Sequence, residues 1–236
     1  MKRQEIINQM HKKDSFNRED LKEAILINDP NYNLENISSL LDSYMKKGLI
    51  IKEDSNKYCV VTDKKYYVYN MSQELNEIHD YLVEKYPDIK FQVWEFSQLN
   101  EFLNHLMATT TYIVEVEDMF VESFFEILKD KYDSVLLKPT CEQFFRYAKQ
   151  GTIVVKKLVS ESPNDLDAPH QIRLEKLLVD IVTDKFTSGL INKSEILEIY
   201  KYCFKRYIID ERKLMRYARR RNAHMVINDF LKEVKE

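Results

Sequence analysis

The chain has 236 residues, of which 44% are hydrophobic and 32% are charged, and its formal net charge at pH 7 is −3. This length and apolar content suffice for one large or two small domains, and the chain has no run of about 18 apolar residues that could cross a membrane. The charged N-terminus lacks the pattern of a signal peptide and the three cysteines form no C-x-x-C pair, so we expect a cytoplasmic protein without a disulfide framework.

Three amphipathic helices are predicted in the first 48 residues. The first carries its apolar side chains at Ile6, Ile7 and Met10. Asn17 can cap the second helix, because its side chain accepts hydrogen bonds from the free amides of a first helical turn. The third has its apolar stripe at Ile37, Leu40, Leu41 and Tyr44. Gly48 follows it, where a left-handed backbone is usual after a helix.

Two short strands are predicted next, Leu49–Lys52 and Tyr58–Val61, around the polar turn Glu53–Asn56. Tyr66–Tyr69 is expected to continue or close their sheet. Three helices followed by a hairpin are typical of a winged helix-turn-helix, which we assign to residues 1–70. The alternative is a small helical bundle with a hairpin that binds nothing.

A linking helix is predicted over residues 71–88, with Pro87 ending it. From residue 89 to 236 the pattern predicts an α/β domain with a small sheet and a helical C-terminal part. Its four strands are predicted near residues 89–93, 111–116, 134–138 and 152–159. Its helices are predicted after Ser97, at 120–128, after Thr140, and at 172–186, 194–206, 211–221 and onwards to 236. The expected fold class is therefore α+β, with a winged helix-turn-helix before this small α/β domain.

The usual phosphate-binding loops are excluded by glycine content. With glycines only at positions 48, 151 and 189, neither a Walker loop nor a dinucleotide fingerprint can be written. The five histidines have no metal-ligand spacing such as H-E-x-x-H. We therefore expect neither a cofactor nor a metal ion.

Acidic residues give the one enzymatic alternative. Glu115 and Glu117 lie two apart on a predicted strand, which places both on one face, and such a pair can hold a divalent ion in nucleases and nucleotidyltransferases. However, no Glu-x-Lys follows on a strand, and Asp165-Leu166-Asp167 lies in a loop without a preceding Gly-Ser turn. We expect that the protein is not an enzyme, with a metal-dependent nuclease or nucleotidyl-transfer relative as the alternative.

Charge is unevenly distributed along the chain. Residues 1–70 carry 12 basic and 11 acidic side chains, residues 71–200 carry 13 and 23, and residues 201–236 carry 11 and 5. A predicted helix in the basic last segment bears arginines on neighbouring positions, at Arg212, Arg216, Arg219 and Arg220. This second basic surface fits either phosphate or an acidic protein partner, including the acidic middle of the same chain.

Six segments follow the predicted winged helix in the order FQVWEFSQLNEFLNHL, YIVEVED, VLLKP, IVVKKLVSESP, RLEKLLVDIVTDK and RKLMRYARRR. Together with the winged helix they resemble the AbiEi-like antitoxins of type IV toxin–antitoxin systems, in the branch often encoded beside an AbiEii-type nucleotidyltransferase toxin. Residues 174–180 are the part most similar to the leucine-rich segment of those antitoxins. The resemblance implies a winged helix that binds inverted repeats in its own promoter, and a C-terminal domain that contributes to repression and to an indirect antitoxicity.

The resemblance also assigns DNA-binding roles to residues of this chain. Those expected to face the major groove are Asn33, Asn36, Ser38 and Ser39, of which Asn36 is chemically suited to adenine edges. Those expected to contact phosphates are Arg18, Lys46, Lys47, Lys52 and Lys57. The expected function is therefore that of a DNA-binding repressor and antitoxin of a phage-defence operon, with a homodimer on double-stranded DNA as one possible form. A protein-interaction module that does not bind DNA is a further alternative.

Overall fold

The computed structural model of the chain describes residues 3–13, 15–61, 64–103, 110–164, 168, 170–183 and 191–235. The architecture is α+β, as predicted, and it comprises two compact units. The first unit contains residues 1–68 and also residues 205–208, and the second contains residues 69–204 and 209–236. The predicted boundary at residue 70 takes no account of the return of the chain at residues 205–208.

The described residues of the first unit form three helices and one hairpin. The helices are α1 (Arg3–Met10), α2 (Arg18–Asn28) and α3 (Ile37–Lys46), with a 3-10 turn at Leu34–Asn36 before α3. The cap predicted for α2 is confirmed, because the Asn17 side chain accepts hydrogen bonds from the amides of Glu19 and Asp20 at 2.8 and 3.0 Å. The Asp20 carboxylate accepts the Asn17 amide in return at 2.8 Å, which completes a capping box.

The hairpin consists of antiparallel strands β1 (Ile50–Asp54) and β2 (Lys57–Val60). Gly48 precedes it with a φ of +66°, the left-handed conformation that glycine adopts without strain. Phe16 forms a further antiparallel bridge with Tyr58, in which each amide donates to the other residue's carbonyl at 2.8 Å. The short segment before α2 therefore pairs with β2 on the edge opposite β1, which the sequence did not indicate.

A hydrophobic core holds the first unit together. All four predicted apolar positions of α3 are buried in it, as are Ile6, Ile7 and Met10 of α1. Burial of apolar side chains stabilises such a core by about 25 cal/mol per Å² of surface removed from water. Because one side of α3 is committed to this core, the other side of the helix faces outwards.

Residues 205–208 return to the first unit and bind its chain near Lys65. The Lys65 amide donates to the Arg206 carbonyl at 3.1 Å, and the Ile208 amide donates to the Lys65 carbonyl at 2.9 Å. Tyr207 is buried, and its ring lies edge-on to Tyr67 with 5.3 Å between ring centroids. The prediction that Tyr66–Tyr69 forms a strand is wrong: Lys65 instead bridges to this returning segment, and residues 66–69 form no strand.

A four-stranded mixed sheet is the centre of the second unit. Its strands are β3 (Phe91–Glu95), β4 (Thr111–Val116), β5 (Val135–Leu137) and β6 (Thr152–Lys157), in the spatial order β3-β4-β6-β5. The β3–β4 pair is antiparallel, and the β4–β6 and β5–β6 pairs are parallel. Helices α5 (Val121–Lys131) and α6 (Cys141–Tyr147) supply the connections to β5 and β6.

The predicted linking helix is α4 (Gln73–Lys85), and it belongs to the second unit. Leu75, Ile78 and Leu82 of α4 are buried in the same hydrophobic cluster as strand residues such as Val114 and Val155. The helix is therefore part of a domain core and not a connector. The helix predicted after Ser97 is instead a 3-10 segment, Phe96–Glu101, within the described residues.

Among the described residues, four helices follow the sheet in the second unit. They are α7 (Leu174–Thr183), α8 (Lys193–Arg206), α9 (Glu211–Arg220) and α10 (His224–Lys235). The last two residues of α8, Lys205 and Arg206, belong to the segment that returns to the first unit. The predicted extension of α7 to residue 186 lies outside the described residues. No helix in the described part of the chain is long and apolar enough to cross a membrane.

Candidate nucleic-acid interface and a buried charge network

The outward side of α3 is polar along its whole length. Ser38, Asp42 and Lys46 are exposed and recur every four residues, so they form a line on the helix surface. Ser39 is exposed beside this line. A surface depression of about 430 Å³ is lined by Ser39, Asp42, Ser43, Lys46 and Lys47. The side of α3 that does not enter the core thus presents a shallow depression lined by hydroxyl-bearing and charged residues.

The predicted base-reading residues differ in their local surroundings. Asn33 caps the 3-10 turn: its Oδ1 accepts the Glu35 amide at 2.9 Å, and its Nδ2 donates to the Glu35 carboxylate at 3.3 Å. Asn36 occupies the N-cap position of α3 but makes no capping bond with its side chain, and it is exposed. Asn36, Ser38 and Ser39 are therefore exposed at the start of α3, whereas Asn33 is engaged in shaping the turn.

The five predicted phosphate-binding side chains are all exposed. They are Arg18, Lys46, Lys47, Lys52 and Lys57. The Arg18 amide donates to the Asn56 side chain at 3.3 Å, so the start of α2 lies against the turn of the hairpin. This contact brings Arg18 towards Lys57, which follows that turn.

The returning segment also changes the charge of the first unit. Lys205 and Arg206 are exposed and belong to this unit, which then contains 14 basic and 11 acidic residues and a net charge of +3. Residues 1–70 alone carry only +1. The first unit is therefore more basic than its N-terminal sequence indicates, which favours contact with an anionic partner.

The second basic surface lies on α9. Asp210 caps this helix by accepting the amides of Arg212 and Lys213, each at 3.1 Å. Leu214, Tyr217 and Ala218 are buried, and this leaves the predicted arginines at 212, 216, 219 and 220 exposed on the opposite side. The helix is thus strongly amphipathic, with a continuous row of guanidinium groups outside.

Two of these arginines already contact a loop of the same unit. Arg220 Nε donates to Ser160 Oγ at 2.6 Å, and Arg216 Nε lies 3.5 Å from the Glu161 carboxylate. Glu161 has a φ of +62°, an uncommon conformation for a residue with a side chain. The contact of Arg216 with Glu161 fits the interpretation in which these arginines pair with the acidic middle of the same chain, and all four arginines are nevertheless exposed.

The expectation that Glu115 and Glu117 share one face of a strand is wrong. Strand β4 ends at Val116, so Glu117 follows it and is exposed, whereas Glu115 is buried. The Glu115 carboxylate lies 3.4 Å from Lys156 Nζ and 2.5 Å from Lys176 Nζ. Its two oxygens are thus used by lysines, which leaves the predicted metal-binding pair unassembled.

Glu115 belongs to a buried charge network that joins the sheet to α7 and α9. Lys176 is fully buried between Glu115 and Asp180. Asp180 also accepts a hydrogen bond from Tyr217 OH at 3.0 Å, and Arg221 Nε lies 3.7 Å from the same carboxylate. Burial opposes the charged form of Lys176, but the two carboxylates outweigh it and raise the pKa of this lysine. Burial raises the pKa of Tyr217, so its hydroxyl is a stable hydrogen-bond donor.

This network crosslinks secondary-structure elements and presents no reactive group to solvent. The four-residue spacing of Lys176 and Asp180 was the available sequence signal for this network, since such pairs meet on a helix.

In the described part of the chain no group of three or more histidine, cysteine or acidic side chains is arranged to hold a metal ion. The motif Asp165-Leu166-Asp167 lies outside the described residues.

Comparison with known proteins identifies a family. A family model described as a family of unknown function, DUF6577, matches residues 36–236. No curated protein matches the chain. The crystal structure of RV2827C protein from Mycobacterium tuberculosis is similar with a TM-score of 0.33 and 10% sequence identity, over 91% of this chain and 70% of that one. The match over most of its length shows that the chain belongs to the DUF6577 family.

Proposed function

We propose that the first unit is a winged helix that binds double-stranded DNA and that the protein represses its own promoter as the antitoxin of a type IV toxin–antitoxin operon. The observation that carries this proposal is the outward face of α3. One side of this helix enters the core, and the other presents exposed Asn36, Ser38 and Ser39 near its N-terminus. Recognition helices contact base edges with side chains in this part of the helix.

The hairpin supports the same proposal. Lys52 and Lys57 are exposed on its two strands, and Arg18 is brought to its turn by the bond to Asn56. The bridge between Phe16 and Tyr58 fixes the hairpin against the segment before α2. A hairpin held in this way is a fixed support for cations that contact the DNA backbone beside the recognition helix.

The arginines of α9 are proposed as a second phosphate-binding surface. Arg212 and Arg219 are exposed, and no ion pair formed between described residues involves them. Arginine forks fit phosphate oxygens well. Arg216 and Arg220 contribute less, because Glu161 and Ser160 already contact them.

The antitoxin role is an extension of the DNA-binding proposal. It rests on the resemblance to AbiEi-like antitoxins and implies a nucleotidyltransferase-type toxin as the functional partner, encoded in the same operon. Repression requires a promoter-specific complex, whereas indirect antitoxicity requires no stable complex with the toxin. The DNA-binding step is therefore tested first.

The test is a mobility-shift titration with DNA from upstream of the protein's own gene, with unrelated DNA of the same length as competitor. Three variants separate the roles: Asn36→Ala/Ser39→Ala for base contacts, Lys52→Ala/Lys57→Ala for the hairpin, and Arg212→Ala/Arg219→Ala for α9. Lys90→Ala/Lys193→Ala removes the same charge from exposed positions of the second unit and serves as the control.

We expect the first variant to lose preference for the promoter and to keep its affinity for unrelated DNA. The hairpin variant should weaken binding to both DNAs and reduce the slope of log affinity against log salt by about 0.9 for each phosphate that is no longer neutralised. The α9 variant should do the same if its surface meets the DNA. Wild-type protein without preference for its promoter would overturn the repressor proposal, and no binding even at low salt would favour a protein-interaction module.

A further inference from the structure

Asp42 is an unexpected residue on the surface proposed to face DNA. It lies in the middle of α3, on the exposed line between Ser38 and Lys46, and it lines the surface depression with Ser39 and Ser43. No ion pair formed between described residues involves its carboxylate. A negative charge therefore stands at the centre of a face whose other side chains are neutral or basic.

A carboxylate at this position is unfavourable for non-specific DNA binding, because it is repelled by phosphates. It becomes favourable where it meets a hydrogen-bond donor on a base edge. The donors in the major groove are the exocyclic amines of cytosine and adenine. The adenine amine lies between two acceptors, its own N7 and the O4 of the paired thymine, and both repel a carboxylate. The cytosine N4 amine has an acceptor on one side only, the O6 of the paired guanine, so a carboxylate fits it better.

We infer that Asp42 is a specificity-determining residue that accepts a hydrogen bond from the N4 amine of a cytosine in the major groove. The inference rests on the proposed DNA-binding function and deepens it by naming a base. Asp42 excludes thymine at the same position, because thymine presents the O4 acceptor there. Asn36 and Ser39 lie nearer the N-terminus of the helix and read different base pairs.

The test is selection of binding sites from a random duplex pool, followed by affinity measurements on the selected site and on its single-base variants. Wild-type protein should require cytosine at one position, with thymine there weakening binding by roughly 5- to 150-fold, the usual cost of one mismatched base pair. Asp42→Ala should reduce this discrimination to near one, keep the preferences at other positions, and bind unrelated DNA more tightly than the wild type. A contact between Asp42 and cytosine predicts both effects together: weaker discrimination at the cytosine position and tighter binding to unrelated DNA.

Two further variants make the result decisive. Asp42→Asn keeps the size of the side chain and adds a donor, so it should change the preferred base from cytosine to adenine, which offers a donor and an acceptor side by side. Glu23→Ala removes an equal charge from an exposed position of α2 and should leave every base preference unchanged. Circular dichroism establishes that each variant is folded.

The outcomes separate the inference from the function on which it rests. If the wild type binds its promoter specifically and Asp42→Ala and Asp42→Asn both keep the wild-type preference at every position, the inference is refuted and the proposed function stands. If the wild type binds no DNA, the proposed function fails first. If Asp42→Ala raises affinity for all sequences equally, Asp42 acts only through its charge, which also refutes the inference.

Discussion

Replacing Lys176 by methionine tests how far the buried charge network stabilises the second unit. The side chain of Lys176 has no exposure to solvent, and its Nζ lies 2.5 Å from Glu115 Oε2 and also contacts the Asp180 carboxylate. Methionine preserves most of the volume and removes the charge, which leaves two buried carboxylates without their shared partner. Removal of one partner of a buried ion pair costs about 3–5 kcal/mol.

The lower end of that range applies here. Lys156 remains 3.4 Å from Glu115, and Arg221 remains 3.7 Å from Asp180, so each carboxylate keeps one cation. We therefore expect Lys176→Met to lower the free energy of unfolding by about 3 kcal/mol, which corresponds to a fall of about 6–12 °C in Tm for a domain of this size.

The assay is thermal and urea unfolding monitored by tryptophan fluorescence. Trp94 is the sole tryptophan of the chain and is buried on β3, so its emission reports on the second unit. Lys157→Met is the matched control: Lys157 is the next residue along β6 after Lys156, but it is exposed and pairs with exposed Asp118, so its loss should leave Tm almost unchanged.

The pH dependence gives a second criterion. In the wild type the raised pKa of Lys176 means that its contribution to stability is fully present below its usual pKa of 10.5 and is lost only as pH rises beyond it. In Lys176→Met this contribution is absent at every pH, so the deficit relative to the wild type should shrink only as pH rises beyond about 10.5, where the wild type also loses it. A deficit below about 1 kcal/mol, or one that does not change with pH, would refute this account of the network.

Three further outcomes are expected from local features. Asn17→Ala should cost about 1 kcal/mol by removing the cap of α2, measured by urea unfolding followed by circular dichroism. Tyr207→Ala should lower the free energy of unfolding of the first unit by about 3–5 kcal/mol, because it empties a buried site. Amide hydrogen exchange in the hairpin should then accelerate, whereas Trp94 fluorescence should report an unchanged second unit. Burial lowers the pKa of His170, so the second unit should lose stability as pH falls below about 6.5, and His170→Gln should flatten that dependence in fluorescence-monitored unfolding.

The sequence predicted well the features that depend on neighbouring residues. The cap at Asn17, the left-handed Gly48 and the start of α6 after Thr140 all follow from short-range backbone chemistry, and all are confirmed. The apolar stripe of α3 is confirmed for the same reason, since a period of 3.6 residues marks a buried side. The exposure of the arginines on α9 follows from that same periodicity.

Features that depend on tertiary contacts were missed. Glu115 and Glu117 were placed on one strand face, but the position at which β4 ends is set by its pairing with β3 and β6. Nothing in the local sequence shows that Glu115 is neutralised by Lys156 and Lys176, which lie 41 and 61 residues later. The contact of Tyr207 with Lys65 and Tyr67 is likewise invisible to any short window of sequence.

The return of residues 205–208 also determines when the first unit can be completed during protein synthesis. A ribosome releases residue 68 long before it reaches residue 205, and at about 5–20 residues per second the delay is on the order of ten seconds. During that interval the buried site of Tyr207 is empty, and Lys65 lacks two main-chain hydrogen bonds. A chain interrupted by a premature stop codon in the second unit before residue 205 therefore never acquires a finished first unit, so a finished first unit requires translation at least as far as residue 208.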